Sequence, residues 1–159
     1  MKKLFLVLIS SVLFITSTNA QNIKEGNFYF GTRMTGADFS FSDKTYVGLS
    51  VDGGYFIFDS WAIGGVVGVN HYDSETGFSF LANTSYYFLE TGMGALFGRF
   101  GIGADRELGL TSFIMDLTAG YSLFIKENIS IEPTAGFLIP FKSGRDVSFN
   151  LGVGFSLYF

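Results

Sequence analysis

The sequence predicts an all-β protein in which eight antiparallel strands close into an up-and-down barrel that spans a membrane. The last thirteen residues, 147–159, alternate between apolar side chains and glycine or uncharged polar ones. Successive side chains of a strand point to opposite faces, so one face is oily and the other carries no charge. The same alternation recurs seven times upstream. Only 15% of the residues are charged, against about 25% in an average soluble domain. A strand with lipid outside and a packed polar lumen inside has this pattern.

The predicted strands are close to the 9–11 residues that a tilted transmembrane strand needs. They cover residues 26–35, 46–58, 61–72, 78–88, 93–104, 110–125, 129–141 and 147–159. In the first strand the apolar side chains change from even-numbered to odd-numbered positions near Gly36, which predicts a bulge or the start of a loop. In the fourth strand the alternation is least clear, because both faces carry apolar residues. We assign the face that carries Phe78 and Phe80 to the outside.

The predicted connections are shorter after even-numbered strands and longer after odd-numbered ones. Outer-membrane barrels show this asymmetry between periplasmic turns and external loops, and an even strand count places both termini in the periplasm. Eight strands enclose a lumen that side chains fill, so we expect no diffusive porin activity.

Composition excludes several classes of function. The chain has no cysteine, so disulfides, thiolate metal sites, cysteine nucleophiles and a lipoprotein anchor are all excluded. A net charge of −4 argues against nucleic acid as a partner, since phosphates require a basic surface. With a single histidine we expect no metal site and no cofactor. No run of 18 apolar residues follows the N-terminus, which argues against a helical membrane protein.

Residues 1–20 are predicted to be a secretory signal peptide, which leaves residues 21–159 as the barrel. Lys2 and Lys3 supply the positive region, 4–15 the apolar region, and cleavage is expected between Ala20 and Gln21.

Aromatic residues gather near the predicted strand ends, as expected for rings that sit at the two interfaces of a bilayer. One rim is predicted to contain Tyr55, Phe58, Trp61, Tyr86, Phe88, Phe124 and Phe155. The other is predicted to contain Phe41, Tyr46, Tyr72, Phe78 and Phe141.

Three stretches resemble the outer-membrane β-barrel domain family of Gram-negative bacteria, in particular the small OmpA- and OmpX-like barrels. They are the signal peptide that ends at Ala20, the segment 54–64 and the alternating strand that ends at Phe159. The resemblance implies a monomer in the cell outer membrane, surrounded by lipid and lipopolysaccharide. It also implies processing by signal peptidase and recognition of the last strand by the barrel-assembly machinery. The residues that match this assembly signal are Phe155, Leu157 and Phe159.

Five charged residues are predicted to face the lumen: Arg33, Asp52, Arg99, Asp116 and Glu132. The midpoint between Arg99 and Asp116 falls in a predicted loop, as does the midpoint between Arg33 and Asp52. Each pair is therefore expected to lie side by side, and Glu132 to reach Arg33 or Arg99 across the lumen. The favoured interpretation is a set of structural ion pairs, because buried charges persist when paired. A gated narrow channel or a proton relay is the functional alternative.

The sequence therefore favours an integral outer-membrane barrel with a structural or surface-interaction role and no catalysis. One alternative is a small barrel enzyme acting on envelope lipids, with His71 beside Asp73, Ser74 and Glu75. Its spacing matches no motif, and such sites are recognised by geometry. A second alternative is an exported soluble barrel that binds an apolar ligand inside, which requires the phenylalanine rows to point inward.

Overall fold

The computed structural model is a closed barrel of eight antiparallel strands, as the sequence predicts. The structure describes residues 23–38, 46–72, 75–107, 110–141 and 147–159. The strands are β1 (Phe28–Asp38), β2 (Tyr46–Phe58), β3 (Trp61–Tyr72), β4 (Glu75–Thr91), β5 (Gly94–Glu107), β6 (Leu110–Lys126), β7 (Ile129–Pro140) and β8 (Ser148–Tyr158). Each strand pairs with its neighbours in sequence, and β1 pairs with β8. Closure leaves no strand edge unpaired, as a sheet surrounded by hydrocarbon requires.

The two ends of the barrel differ. Both termini of the described chain lie at one end, together with turns at 59–60, 92–93 and 127–128. We call this the turn end and the opposite end the loop end. The hairpins at the loop end extend beyond the predicted strands, so that residues 75–77 and 105–107 are paired strand instead of loop. Polar residues can continue a ladder there because pairing uses backbone groups.

The orientation of the strands agrees with the alternation in the sequence. On β8, Leu151, Val153 and Phe155 are exposed on the outer wall, whereas Ser156 and Tyr158 are buried inside. The assignment of β4 is also confirmed, since Phe78 and Phe80 are both exposed. The alternative of a soluble barrel with phenylalanine rows around an internal ligand is therefore wrong, because these rows cover the outside.

Bulges at the turn end change which face the last residues of a strand occupy. The pairing shifts between Phe56 and Phe58 and again between Tyr87 and Leu89. A bulge adds one residue to one strand and so breaks the two-residue alternation. Phe58 consequently points outward, although strict alternation from Phe56 would place it inside. A further shift between Gly36 and Asp38 confirms the irregularity predicted near Gly36.

Within its described ranges, the protein has no helix with the length and apolar character needed to cross a bilayer.

Candidate functional site in the barrel interior

The centre of the interior contains three charged side chains that meet at one carboxylate. Arg99 Nη1 lies 2.7 Å from Asp52 Oδ2, and Arg33 Nη2 lies 3.9 Å from the same oxygen. Arg99 also donates from Nε to Ser85 Oγ at 2.9 Å. All three charged residues are buried. We call Arg33, Asp52 and Arg99 the central ion cluster, in which two guanidinium groups share one carboxylate.

The predicted pairing of Arg99 with Asp116 is wrong in its partner. Arg99 lies opposite Thr118 on β6, and Asp116 lies opposite Gly101 on β5. The observed register differs from the predicted one by two residues, and both registers place the turn in the same loop between β5 and β6. The position of the loop therefore cannot distinguish Thr118 from Asp116 as the residue opposite Arg99. Arg99 instead crosses the lumen to Asp52 on β2, while Asp116 Oδ1 accepts a hydrogen bond from Thr118 Oγ1 at 2.8 Å.

The other predicted pair forms, but with different geometry. Arg33 lies opposite Ser50 and Asp52 lies opposite Gly31, so the two charges are diagonal neighbours on β1 and β2. Their separation of 3.9 Å exceeds the roughly 2.7–2.9 Å of a charge-assisted hydrogen bond. Asp52 therefore interacts more closely with Arg99 than with its own hairpin partner.

Glu132 has hydroxyl partners in place of the arginine that the sequence suggested. Its Oε1 accepts hydrogen bonds from Tyr158 Oη at 2.7 Å, Ser122 Oγ at 2.9 Å and Ser130 Oγ at 3.0 Å. The side chain is inside the barrel and only 3% exposed. Tyr87 Oη lies 3.5 Å from Tyr158 Oη and extends this network. Among the described residues, these hydroxyl donors satisfy the hydrogen-bonding needs of the buried Glu132 carboxyl group in place of a cation.

An aromatic cluster, which the sequence pattern did not predict, fills the interior toward the turn end. Its members are Ile23, Tyr29, Phe56, Ala62, Tyr87, Ala95, Phe97, Phe124 and Tyr158. Their rings contact one another at centroid separations such as 5.3 Å for Tyr87 and Phe97. The Arg99 guanidinium carbon lies 5.4 Å from the centre of the Phe97 ring, within the range of a cation–π contact. The available signal was the alternation within each strand, which places these aromatics on the same face as glycine and polar residues, as with Tyr29 beside Gly31 and Tyr158 beside Ser156.

Phe124 belongs to this cluster, so its predicted position at the outer rim is wrong. It lies near the end of β6, but on the inner face, and it contacts Tyr158 at a centroid separation of 5.2 Å. Its position near the end of the strand suggested the rim. Alternation decides which side of the wall it occupies, and Phe124 lies two residues from the inward-facing Ser122.

The segment before β1 packs beneath the aromatic cluster. Ile23 is 2% exposed, and its carbonyl accepts a hydrogen bond from the backbone N–H of Ser60. The Gly26 N–H donates to the Phe56 carbonyl at 2.9 Å, which fixes the segment against the end of β2. These contacts position an apolar side chain across the turn-end mouth.

The predicted rim aromatics at the turn end lie on the outer wall. Exposed rings in this group are Tyr55, Phe58, Trp61, Tyr86, Phe88 and Phe155. Trp61 donates from Nε1 to Thr84 Oγ1 at 2.6 Å, and its ring meets Tyr86 edge to face at 6.5 Å. At the loop end, Phe78 and Phe141 are exposed. Phe41 and the side chains of Tyr46 and Tyr72 lie outside the described residues. A role for these rings at a bilayer interface stays a prediction.

The predicted assembly signal lies on the last strand, beside β1. Phe155 and Phe159 are exposed and Leu157 is half-buried. Phe159 and Phe28 exchange both backbone hydrogen bonds, at 2.8 and 3.0 Å. The predicted signal peptide and its cleavage position between Ala20 and Gln21 lie outside the described residues.

His71 is exposed at the loop end, where its Nδ1 lies 3.4 Å from Thr76 Oγ1. The described residues do not include Asp73, Ser74 or the side chain of Glu75. The alternative of a lipid-acting site around His71 therefore stays a prediction. No group of three or more potential metal ligands occurs in the described ranges.

The barrel resembles several solved structures. It superposes on the N-terminal β-barrel domain of Pseudomonas aeruginosa OprF with a TM-score of 0.68 and 16% identity, covering 85% of this chain and 98% of that one. Neisserial surface protein A gives a TM-score of 0.68 and 19% identity, covering 85% of this chain and all of the other, 100%. The outer membrane enzyme PagL gives a TM-score of 0.58 and 13% identity, covering 80% of this chain and 98% of that one. The sequence matches no family model and no curated protein. At these identities the likeness establishes the fold alone, an eight-stranded antiparallel barrel of the kind found in these outer-membrane proteins.

Proposed function

We propose, from a fold shared with outer-membrane barrels, that this chain is an integral outer-membrane protein with a structural or surface-interaction role and no catalysis. The observation that carries the proposal is the distribution of side chains across the wall. Leucine, valine and phenylalanine cover the outside, whereas the central ion cluster and Glu132 lie inside. In water this arrangement would expose a large apolar surface, while in a bilayer it places apolar groups against lipid. The lipids and lipopolysaccharide of the outer membrane are the corresponding surroundings.

The packing of the interior supports a lumen that does not conduct. The aromatic cluster occupies the turn-end half, Ile23 lies across its mouth, and the central ion cluster lies adjacent to it. Eight-stranded barrels are narrow enough for side chains to fill them.

We expect the barrel to produce no stepwise ion conductance when it is reconstituted in planar lipid bilayers. Removing two rings at once, with Tyr87→Ala and Phe97→Ala, should open a path and give measurable conductance. A Phe58→Ala variant, which removes a ring from the outer wall, is the matched control and should show no ion conductance. Steady conductance of the unmodified barrel would support the gated-channel alternative instead.

The exposed end of β8 supports a role in biogenesis. We propose that the barrel-assembly machinery reads Phe155, Leu157 and Phe159 after signal peptidase has released the chain. Phe159 is 66% exposed, so its ring contributes little to the packing of the finished barrel.

Phe159→Ala should therefore lower the amount of folded barrel in cell membranes without weakening the purified protein. We expect its free energy of unfolding to change by less than about 0.5 kcal/mol, since it alters an exposed side chain. Gel mobility with and without heating measures the folded fraction in membranes. Phe141→Ala, another exposed ring near a strand end, is the control. Equal membrane levels for both variants and the unmodified protein would contradict the assembly role.

A further inference from the structure

The loop-end half of the interior contains a small polar cavity of about 70 Å³. Among the residues that the structure describes, its charged lining consists of Arg33 from β1 and Asp116 from β6. Neutral hydrogen-bonding side chains complete the polar wall: Thr35, Ser50, Asn70, Ser79, Ser148 and Asn150. Apolar residues from five strands line the same cavity: Leu49, Val66, Leu81, Ile114 and Leu138. We call this cavity the polar cup.

The two charges of the polar cup retain capacity for a ligand. Arg33 contacts Asp52 only at 3.9 Å, and Asp52 forms its shorter contact with Arg99. A guanidinium carries five N–H donors, and among the described residues Arg33 has one ion pair, this long contact, so donor capacity remains for a ligand. Asp116 accepts from Thr118 through Oδ1, and a carboxylate has a second oxygen with further lone pairs.

The size and chemistry of the polar cup define a class of ligand. A volume of 70 Å³ is room for roughly five water-sized groups. Arg33 matches a carboxylate, for which the guanidinium fork is geometrically suited. Asp116 matches an ammonium group, and the apolar side chains match a short hydrocarbon part. A simple anion would satisfy Arg33 but would face Asp116 with like charge.

We propose that the polar cup binds a small zwitterionic α-amino acid of the size of glycine or alanine. The carboxylate of the ligand pairs with Arg33, its ammonium group pairs with Asp116, and its Cα lies against Leu81 and Ile114. The cavity has room for little more than the backbone groups of the ligand, so a ring such as that of phenylalanine would have to lie outside it. Binding of such a ligand gives the barrel a function beyond a structural role.

The test is calorimetric titration of the detergent-folded barrel with glycine, L-alanine and L-phenylalanine. Acetate and methylammonium serve as probes that carry only one of the two charges. We expect saturable binding of glycine and alanine, and at least tenfold weaker binding of phenylalanine and of both single-charge probes. Arg33→Gln and Asp116→Asn should each weaken glycine binding by about 10- to 100-fold, the effect of losing one charged hydrogen bond. Glu132→Gln, which changes a carboxyl outside the cup, should leave binding unchanged.

Heat-dependent gel mobility would first establish that every variant is folded. If Arg33→Gln does not fold, glycine binding to Asp116→Asn decides the test, because Asp116 is in none of the ion pairs that join Arg33, Asp52 and Arg99. Absence of saturable glycine binding to the folded barrel would overturn the proposal. So would acetate binding that equals glycine binding and persists in Asp116→Asn, since this would identify a plain anion site.

Discussion

Replacing Asp52 with alanine is expected to destabilise the folded barrel by about 3–5 kcal/mol, the cost of leaving a buried charge unpaired. Asp52 is 4% exposed and is the carboxylate shared by Arg33 and Arg99. Its loss leaves two guanidinium groups in the interior without their common counter-charge. Equilibrium unfolding in urea, with the protein in detergent micelles, measures the change.

Two further variants distinguish charge pairing from simple loss of volume. Asp116→Ala removes a carboxylate hydrogen-bonded to Thr118 and should cost only about 1 kcal/mol. The double variant Asp52→Leu with Arg99→Met should recover most of the lost stability, since an apolar pair can replace a buried ion pair at little cost. Equal destabilisation by Asp52→Ala and Asp116→Ala would show that the central ion cluster is not the main electrostatic contact.

Gly64→Val should produce the second large effect, a loss of at least about 3 kcal/mol or a failure to fold. Gly64 faces the interior from β3, and a Cβ atom there would overlap the carbonyl oxygen of Gly53 on β2 and lie 2.9 Å from the Cα of Gly54. Overpacking typically costs about 1–3 kcal/mol, and more where backbone has to move. The midpoint of urea unfolding and the heat-dependent gel shift both report the outcome.

Gly65→Val is the matched control, because the neighbouring residue faces the outer wall. A Cβ atom at Gly65 would meet only the Leu81 carbonyl oxygen, at an ordinary 3.5 Å. Adding an apolar side chain to the outer wall should leave stability unchanged or raise it slightly. If Gly65→Val proved as damaging as Gly64→Val, the assignment of inner and outer faces on β3 would be wrong.

The strands and their orientation could be predicted because alternation is a local property of the sequence. Every second residue from Val147 to Phe159 is apolar, and that pattern alone places Phe155 on the outer wall. Pairing of neighbouring strands followed from the same pattern together with short connections. A barrel wall is thus determined mainly by contacts between residues close in sequence.

The interior could be predicted only in part because its contacts join strands that are distant in sequence. The sequence placed Arg99 inside but named Asp116 as its partner, whereas Asp52 reaches it across the lumen from β2. A shift of two residues in register preserves the face of every side chain, so alternation cannot detect it. Bulges and the fold of the segment at Ile23 likewise depend on the assembled barrel, which explains why the aromatic cluster went unrecognised.

The central claim, that apolar rows face lipid and polar rows face the lumen, can be tested directly because the chain contains no cysteine. A nitroxide spin label would be attached to a single introduced cysteine in barrels folded into lipid vesicles. The four variants are Leu151→Cys, Phe155→Cys, Asn150→Cys and Ser156→Cys. Labels at positions 151 and 155 should collide freely with dissolved oxygen and be protected from a water-soluble nickel complex. Labels at 150 and 156 should show restricted motion and low oxygen accessibility. Labels at 150 and 156 in contact with lipid, with 151 and 155 enclosed, would contradict the account.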